Sequence, residues 1–529
     1  MRVRWPKLTR DLLILMAILC LGLFLRVYNL GGESLWIDEH VTIRLAHKSF
    51  SAIIKNRAHN VHPPFYFLLE RCWVGLFGDS ESAARFPSVL FCFFAIFLIY
   101  QVGRLLFDKE VGLFASLLLA LSSFHIRFSQ EARSYTLMVL LTLISMYFLL
   151  KLQPGETNRW NSIGYVLSTS LLIYTHYYGL FIVITENLYV AGCLLFKKDF
   201  KLHLKKWILL QSSVILLFAP WIPVLLWQFR NVQKKGGFRE ISVPSLDSIY
   251  RTFQSYAGGE ALMALMIALA LLSLTTYIRK REDANPEKGV SVPFPGEDHH
   301  GLVFTAPHKL YLLSLWLIIP ITLPFLVSQF SSPIYSLKYS IGASLAFYVL
   351  VAKGIKNLAY PPAKLVLTVV LVVFSLNSAW GYYEGIHKEQ WREVARSLDV
   401  SARPGDLILF NAGWCQGTFN YYSHRNDLIK EPFPRKGTKV DKKIIKELDP
   451  TVRGYDRVWL ILSHSRDRRG LIAEALAKKY GLVYHHKFHR IEVYLFEKPR
   501  EPKGYPPGHR NERERRRILD PSVEGALAR

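Results

Sequence analysis

The chain has 529 residues, of which 51% are hydrophobic and 14% aromatic. This composition is too apolar for a typical soluble enzyme of the same length, and apolar runs of about 20 residues, enough to span a bilayer, recur through its first three quarters. The formal net charge is +25. Many Lys and Arg residues lie in short loops between the apolar runs, so the charge follows the positive-inside rule and predicts no nucleic-acid partner.

The apolar runs predict a polytopic α-helical membrane protein with about eleven spans. We place the spans at residues 11–29, 85–106, 110–126, 134–151, 161–177, 179–196, 207–228, 260–278, 309–329, 336–352 and 364–381. With a cytoplasmic N-terminus, the densest basic clusters fall in cytoplasmic loops. An odd number of spans then places the C-terminal part and the long loop 229–259 on the extracytoplasmic face of the cell (inner or plasma) membrane.

Two segments between the first and second spans are too short or too polar to cross the membrane. Residues 39–48 and 65–76 are predicted to be juxtamembrane helices that lie in the interface. The second starts after Pro63-Pro64, because proline suits a first helical turn. A Pro- and Gly-rich stretch at 282–308 is predicted to be a flexible cytoplasmic connector.

The composition divides the chain into three parts. Residues 1–381 are predicted to form the membrane domain, residues 382–498 a small extracytoplasmic α/β domain, and residues 499–529 a disordered basic tail. The predicted elements of the second part are strands at 406–410 and 457–462, a hairpin at 481–496, and helices at 387–398 and 471–480.

Several polar segments are predicted to meet on the extracytoplasmic face. The first holds the adjacent carboxylates Asp38 and Glu39, which follow the first span. Ionisable groups so close to hydrocarbon are costly and usually mark a working site, where a carboxylate can act as a general base. The alternative is that the pair only caps a short helix, because acids suit helix N-termini.

The other segments carry cations, imidazoles and aromatic rings. Their candidate binding residues are His62, Glu131, Arg133, Tyr135, His176, Tyr177, Lys338 and Tyr339. Arg133 can grip a phosphate with two hydrogen bonds, and near the membrane it needs Glu131, one of the first carboxylates or an anionic ligand as its partner. Carboxylates beside cations suit a phosphate-linked lipid donor, whose phosphate the cations would hold as the leaving group.

Each of these residues also has a plainer interpretation. His62 can be an ordinary polar residue before a helix, and Arg133 can form a structural pair with Glu131. Tyr177 can belong to the interfacial aromatic belt, and Lys338 can extend towards the headgroups. No Cys-X-X-Cys pair occurs, so the cysteines predict neither a zinc site nor a disulfide framework.

Four stretches in this order resemble the dolichyl-phosphate-mannose–protein mannosyltransferase-like family, part of the GT-C superfamily of membrane glycosyltransferases. They read LWIDEHVT, HPPFYFLLERCWVGLFGDSESAARFPSVLF, SQEARSYTL and THYYG. The resemblance implies inverting transfer of a sugar, a hexose or pentose, from a polyprenyl-phosphate carrier to a lipid, glycan or protein acceptor outside the cytoplasm. Asp38 matches the family's catalytic acidic residue, with Glu39 beside it.

The resemblance also assigns roles to other residues, and some of these matches are closer than others. Arg133 matches an arginine that would grip the phosphate. His62 stands where some relatives have Lys, and Lys338-Tyr339 stands where many have Arg-Tyr. Members differ in their need for a divalent metal, so metal use stays open. Two other classes compete with an enzyme: a lipid-linked transporter or flippase, which should place polar residues along the middles of several helices, and a non-catalytic membrane scaffold, which should not depend on Asp38.

Overall fold

The chain folds into two compact units. The computed structural model describes residues 9–152, 158–196, 204–234, 242–278, 301–304, 307–435, 437–467 and 469–499. The first unit comprises Met1–Ala395 with Gly417–Tyr422, and the second comprises Arg396–Gln416 with Ser423–Arg529. The first unit therefore continues beyond residue 381, where we predicted the membrane domain to end. Apart from residue 499, the predicted tail lies outside the described residues, as does most of the predicted connector 282–308.

The part of the chain predicted to be membrane-embedded is helical. Its helices are α1 (Arg10–Val27), α2 (Ile37–Ala46), α3 (Phe50–Ala58), α4 (Phe65–Phe77), α5 (Glu81–Leu106), α6 (Lys109–Leu121), α7 (Ser123–Ser129), α8 (Tyr135–Lys151), α9 (Arg159–Thr175), α10 (Gly179–Phe196), α11 (Leu204–Phe218), α12 (Ile222–Lys234), α13 (Leu246–Ala257), α14 (Glu260–Leu272), α15 (Pro307–Phe330), α16 (Ser344–Asn357) and α17 (Pro361–Glu384). Short 3-10 turns, Ala219–Trp221 and Tyr339–Ala343, precede α12 and α16.

Length and composition identify the membrane-crossing helices. Among the described residues, four are long and apolar enough to cross a membrane: α5, Leu204–Lys234, α15 and α17. The count becomes six if each of two bent pairs, α6 with α7 at 61° and α13 with α14 at 88°, forms one span. The chain is thus a polytopic α-helical membrane protein, as predicted. The total of about eleven spans stays a prediction, although a helix occupies most of each predicted span.

Three short helices follow the first span. The predicted helices at 39–48 and 65–76 correspond to α2 and α4, whereas α3 was not predicted. Ser49 begins α3, because its hydroxyl accepts a hydrogen bond from the amide of Ala52. Gly78 ends α4 with a φ of 80°, a backbone conformation that glycine adopts without strain.

Two sequence predictions in this unit were wrong. The span predicted at 260–278 ends at Leu272, because Thr275–Ile278 forms strand β1, which pairs antiparallel with β2 (Gly301–Phe304). Two threonines, a tyrosine and an isoleucine favour a strand over a helix. The region 229–259, predicted to be a loop, contains the end of α12 and all of α13.

The bend between α6 and α7 sets the direction in which the chain reaches the turn at residues 130–134. Ser122 ends α6 and begins α7, where its hydroxyl accepts a hydrogen bond from the amide of His125. The two helices therefore meet at 61° instead of continuing straight. Helix α7 then ends at Ser129, and residues 130–134 form the turn that leads into α8, as predicted. This turn, called the 130–134 turn below, carries Glu131 and Arg133.

The second unit is a small α/β domain, as predicted. Helices α18 (Trp391–Ser401) and α19 (Gln416–Tyr422) extend across the unit boundaries; the unit also contains α20 (Lys442–Ile445), α21 (Leu448–Val452), α22 (Leu471–Ala477), β3 (Leu407–Asn411), β4 (Ile429–Pro432), β5 (Arg457–Leu462), β6 (Gly481–Phe488) and β7 (Ile491–Glu497). The sheet order is β4-β3-β5-β7-β6. Strands β3, β4 and β5 run parallel, while β7 is antiparallel to both β5 and β6.

The centre of the sheet is buried: β3 and β5 are buried along most of their length. Leu407 lies opposite Val458, and Val458 lies opposite Phe496. These side chains are buried in one core with Ile472 and Leu476 of α22. The predicted strands at 406–410 and 457–462 and the hairpin at 481–496 are confirmed.

Candidate functional site

Glu39 is the buried centre of the region after the first span. It is 0% exposed. Arg85 holds it with two hydrogen bonds, Nε to Oε1 at 2.8 Å and Nη2 to Oε2 at 2.9 Å. The backbone amide of Ala132 donates to Oε1 at 2.9 Å, and the Lys388 ammonium lies 3.3 Å from the same oxygen. Glu39 therefore ties α2 to α5, to the 130–134 turn and to the chain beyond α17.

Charge pairing decides the ionisation of this cluster. Burial would raise the pKa of Glu39, but the charges of Arg85 and Lys388, with the hydrogen bonds from Arg85 and Ala132, lower it to about 2. Burial lowers the pKa of Lys388 to about 8, although Glu39 opposes that shift. At neutral pH Glu39 is therefore ionised. Its carboxylate is buried and bonded to Arg85, Lys388 and the Ala132 amide, so it is not exposed to solvent.

Asp38 differs from its neighbour in both exposure and pairing. Its side chain is 38% exposed, and its Oδ2 lies 3.5 Å from Nη2 of Arg133. Arg133 Nη1 also approaches the Asp38 backbone oxygen at 3.5 Å, and the hydroxyl of Thr42 donates to that oxygen at 3.1 Å. The carboxylate of Asp38 thus lies next to a cation and is also partly exposed to solvent.

Arg133 is paired with Asp38 and not with Glu131. Its side chain is 6% exposed, and its Nη2 also lies 3.5 Å from Nε2 of His62. Glu131 lies 3.9 Å from Arg127 instead, four residues earlier on α7. Burial raises the pKa of Glu131. Of the partners predicted for Arg133, the structure therefore selects the carboxylate of the first segment.

Two neutral imidazoles lie beside Arg133. The rings of His62 and His176 are 5.8 Å apart. Burial and the charge of Arg133 lower the pKa of His176 to about 3 and that of His62 well below its usual range. Nδ1 of His176 accepts the backbone amide hydrogen of Tyr178 at 3.2 Å. The neutral ring of His176 must then carry its proton on Nε2, which makes that atom a hydrogen-bond donor.

Aromatic rings and a lysine complete the cluster. The Lys338 ammonium lies 5.8 Å from the ring of Trp36, 5.9 Å from that of Tyr135 and 5.4 Å from that of Tyr339. The Tyr339 ring lies 4.7 Å from that of His176. The 3-10 turn that starts at Tyr339 thus brings Lys338 to the residues that precede it by about 200 to 300 positions in the chain.

Three buried polar atoms of this cluster form no hydrogen bond of good geometry with the residues that the structure describes: Arg133 Nε, the Tyr135 hydroxyl and His176 Nε2. The Tyr135 hydroxyl and the Arg133 side chain are nevertheless near enough to interact with each other. The Arg133 guanidinium lies 6.0 Å from the Tyr135 ring, and that ring lies 6.4 Å from the His176 ring. Buried donors without partners are costly and rare, so three within one small cluster indicate a ligand. We call Asp38, His62, Arg133, Tyr135, His176, Lys338 and Tyr339 the outer cluster.

The outer cluster is positively charged. Arg57 of α3 is 5% exposed, and its guanidinium lies 4.5 Å from the Phe67 ring. Burial and the charges of Arg133 and Arg44 lower its pKa to about 10. Around the outer cluster, the arginines and Lys338 outnumber the single carboxylate of Asp38. Such a site attracts an anion, and phosphate fits the fork of an arginine.

The structure does not bring every predicted site residue into the outer cluster. Tyr177 donates from its hydroxyl to Gln228 at 2.6 Å and accepts from Trp221 at 2.9 Å, on the side of α12. Glu131 pairs with Arg127 as described above. Three residues near the site were not among the predicted candidates: Arg85, Arg57 and Lys388. Arg85 is the first residue of a predicted span, Arg57 lies in a helix that was not predicted, and Lys388 lies in the predicted helix 387–398.

The donors do not fit a metal ion. Within the described residues, no group of three or more His, Cys, Asp or Glu side chains is arranged to hold one. His62 and His176 face each other, but the next charged neighbour of His62 is the guanidinium of Arg133, a cation.

Polar residues also occur inside the helices. Glu186, in the middle of α10, is 0% exposed and accepts hydrogen bonds from Ser145 at 2.6 Å and Tyr165 at 2.8 Å. Gln211 of α11 donates to the same tyrosine at 2.9 Å. Polar groups thus also lie along the middles of helices, which is the pattern stated above for a transporter or flippase. This network is closed, because each of its groups satisfies another.

Solved structures of two membrane enzymes share this fold. Apo ArnT from Cupriavidus metallidurans superposes with a TM-score of 0.56 at 12% identity, covering 91% of this chain and 97% of ArnT. ArnT bound to undecaprenyl phosphate gives 0.57 at the same identity and coverage. The Archaeoglobus fulgidus oligosaccharyltransferase in complex with Zn and sulfate gives 0.52 at 13% identity, covering 91% of this chain and 72% of that one. At such identities the likeness shows a shared fold and no more.

One family model matches part of the chain in sequence. Residues 61–227 match the family described as dolichyl-phosphate-mannose-protein mannosyltransferase, which confirms the resemblance seen in the sequence. No curated protein matches the chain in sequence. The matched segment contains His62, Arg133, Tyr135 and His176, whereas Asp38 and the Lys338-Tyr339 pair lie outside it.

Proposed function

We propose that the chain is an inverting glycosyltransferase that moves a hexose or pentose from a polyprenyl-phosphate carrier to an acceptor outside the cytoplasm. One observation supports this most: beside the half-open carboxylate of Asp38, buried donors of Arg133, Tyr135 and His176 form no hydrogen bond of good geometry with the described residues. A phosphodiester would supply the missing acceptors and balance the positive charge. The ArnT structure that contains undecaprenyl phosphate shares the fold, which supports a lipid of this kind as the donor.

Binding of the phosphate would use four groups of the outer cluster. Arg133 and Lys338 supply positive charge, and the Tyr135 hydroxyl and His176 Nε2 supply hydrogen bonds without adding charge. Because these donors are already held in place by burial, they need little rearrangement to stabilise the extra charge on the departing phosphate. His62 would orient the Arg133 guanidinium by accepting a hydrogen bond from Nη2.

Asp38 would act as the general base. It takes the proton from the acceptor's nucleophilic group, which forms a bond to the anomeric carbon as the bond from that carbon to the phosphate oxygen breaks. The electron pair leaves with the polyprenyl phosphate, and the proton is later released from Asp38 to water. A single displacement from the face opposite the phosphate inverts the anomeric configuration.

Glu39 would serve as a positioning residue beside this base. Its carboxylate is saturated by Arg85, Lys388 and Ala132, so it has no free lone pair directed at a substrate. It fixes the start of α2, and hence Asp38, against the 130–134 turn that carries Arg133. The sequence left open whether Glu39 is a base, a ligand or a cap, and the cluster favours the structural role.

The acceptor is a lipid, glycan or protein on the extracytoplasmic side of the cell membrane. The orientation follows from the basic loops of the sequence. The test compares surface glycans and glycolipids by mass spectrometry in cells with the intact gene, a deleted gene and an Asp38→Asn gene. The expected result is loss of one sugar from the same molecules in both altered strains. Unchanged glycans in the deletion strain would reject the proposal.

A further inference from the structure

One amide side chain supports the segment that ends in His62. Gln228 of α12 is 4% exposed. Its Nε2 donates to the backbone oxygens of Arg57 at 2.9 Å and Ala58 at 3.1 Å, and also to that of Asn60. The first two are carbonyls of the last turn of α3, and that of Arg57 also accepts a hydrogen bond from the backbone amide of Asn60 at 3.1 Å. Gln228 therefore closes the end of α3 and sets the direction in which the chain leaves it.

The same amide is joined to the segment that carries His176. Oε1 of Gln228 accepts a hydrogen bond from the Tyr177 hydroxyl at 2.6 Å, and that hydroxyl accepts one from Nε1 of Trp221 at 2.9 Å. Tyr177 follows His176 directly in the chain, in the link between α9 and α10. A single side chain on α12 thus connects both segments that present imidazoles to the outer cluster.

We propose that Gln228 is a positioning residue for the phosphate site, through which α12 sets the spacing of His62 and His176. The inference rests on the proposed function, because the ligand it concerns is the donor phosphate. Gln228 and Tyr177 have no described contact with Asp38 or Arg133, so they act through the histidines. This also gives Tyr177, which lies outside the outer cluster, a defined role.

Gln228 bonds to the Arg57 carbonyl in a buried setting and to the Ala58 and Asn60 carbonyls in partly buried ones. An acceptor that loses its partner in such a setting is costly. Without the amide, the segment 58–62 would turn its carbonyls towards other donors and move His62 with them. Small displacements matter here because hydrogen bonds to an anion weaken steeply when their geometry is poor.

The experiment measures binding of undecaprenyl phosphate to the purified full-length chain in detergent. Gln228→Leu should bind the lipid on the order of 10-fold more weakly than wild type, because both histidines lose their fixed positions. Gln211→Leu is the matched control. Gln211 is an amide on the neighbouring helix that bonds to Tyr165 and Asn187, away from the outer cluster. Equal affinity of the two variants would overturn the proposal.

A double-mutant cycle separates positioning from a general loss of stability. In the His62→Ala background, Gln228→Leu should weaken binding by a smaller factor than it does in wild type, because only its effect on His176 remains. Combined with Lys338→Ala, Gln228→Leu should weaken lipid binding by the same factor as it does in wild type, because Lys338 does not depend on the hydrogen bonds of Gln228. Full multiplication with His62→Ala would show that Gln228 acts elsewhere. If Gln228→Leu does not yield folded protein, Tyr177→Phe replaces it, with a smaller expected loss of about 2- to 3-fold.

A second readout does not depend on the lipid. Amide hydrogen exchange of residues 58–62 and 174–179 should be faster in Gln228→Leu than in wild type, and unchanged in Gln211→Leu. Equal exchange in all three proteins would overturn the positioning role. A wild-type chain that fails to bind undecaprenyl phosphate, yet shows the exchange difference, would reject the proposed function and leave the structural link established.

Discussion

Arg133 and Asp38 form a salt bridge whose closest atoms lie farther apart than the about 2.7–2.9 Å of a charge-assisted hydrogen bond. The closest atoms, Nη2 and Oδ2, are 3.5 Å apart, and the carboxylate is 38% exposed while the guanidinium is 6% exposed. Among the described residues, the carboxylate paired with Arg133 is that of Asp38, which is partly exposed, so the buried guanidinium is incompletely compensated. The gap leaves both groups available, one to hold an anion and the other to accept a proton.

The first prediction concerns Asp38 as the base. Asp38→Asn keeps the shape and removes the proton acceptor, so turnover should fall by about 10²- to 10⁴-fold. Single-turnover assays with the purified protein and a polyprenyl-phosphate sugar measure this. Asp79→Asn is the control, since Asp79 is an exposed acid that pairs with His47 on the same side of the fold. Retained turnover in Asp38→Asn would reject the assignment.

The second prediction concerns the anion site. Arg133→Ala should weaken binding of the donor lipid by about 10- to 100-fold, because hydrogen bonds to charged groups contribute about 1.5–3 kcal/mol each. Asp38→Asn should bind the lipid at least as tightly as wild type, because it removes a negative charge next to the phosphate. Titration of the lipid by calorimetry or fluorescence tests both.

The matched control for this experiment is Arg127→Ala. Arg127 also lies near the 130–134 turn, but its side chain is 47% exposed and it faces Glu131 at 3.9 Å. An equal loss of affinity in Arg127→Ala and Arg133→Ala would mean that the lipid responds to the general charge of the surface and not to a specific site.

Local signals in the sequence were sufficient for most of the fold. Apolar runs located helices at the predicted spans, and short apolar runs and an alternating hairpin located the strands of the second unit. Strand β1 was missed because its four residues follow closely on the apolar helix α14, where so short a segment has no period of its own. Helix α3 escaped because its sequence, FSAIIKNRA, has no extended apolar face.

The site residues that the sequence predicted are charged or polar residues close to the ends of predicted spans. Asp38, Arg133, His62 and His176 were named for this reason, and the structure brings them together. The partners of Glu39 were not predictable in the same way. Arg85 is 46 residues away and Lys388 is 349 residues away. Pairings at such separations are set by packing of distant helices, and a single sequence holds no local signal for them.

The third prediction is a pH dependence that arises from Lys388. Burial lowers its pKa from 10.5 to about 8, so between pH 8 and 10.5 the unfolded chain binds more protons at this residue than the folded chain does. Stability from this group must therefore rise with pH across that window, by on the order of 1–3 kcal/mol. The contribution is absent below pH 8, where both states are protonated.

Thermal unfolding at several pH values checks this sign. The midpoint of wild type relative to Lys388→Met should increase from pH 8 to 10.5, while Glu39 keeps its two bonds to Arg85 in both proteins. Lys442→Met, a change at an exposed lysine of α20, should show no such trend. A relative midpoint that falls with pH would show that attraction to Glu39 outweighs burial.

The fourth prediction separates binding from stability at Tyr135. Its hydroxyl is buried and forms no hydrogen bond of good geometry with the described residues, although it lies near the Arg133 side chain. Tyr135→Phe should therefore leave the thermal midpoint unchanged or raise it, because removing an unsatisfied polar group relieves a cost. The same change should weaken donor-lipid binding by about 10-fold, the loss of one hydrogen bond to a charged phosphate.

Tyr165→Phe should behave in the opposite way. The Tyr165 hydroxyl donates to Glu186 at 2.8 Å and accepts from Gln211 at 2.9 Å. Its removal leaves two buried groups short of a partner, so stability should drop by about 1–3 kcal/mol while lipid affinity stays at the wild-type value. Both variants are measured by thermal unfolding and by lipid titration. If Tyr135→Phe lost stability and kept its affinity, its hydroxyl would serve the fold, and the phosphate site would have to be built without it.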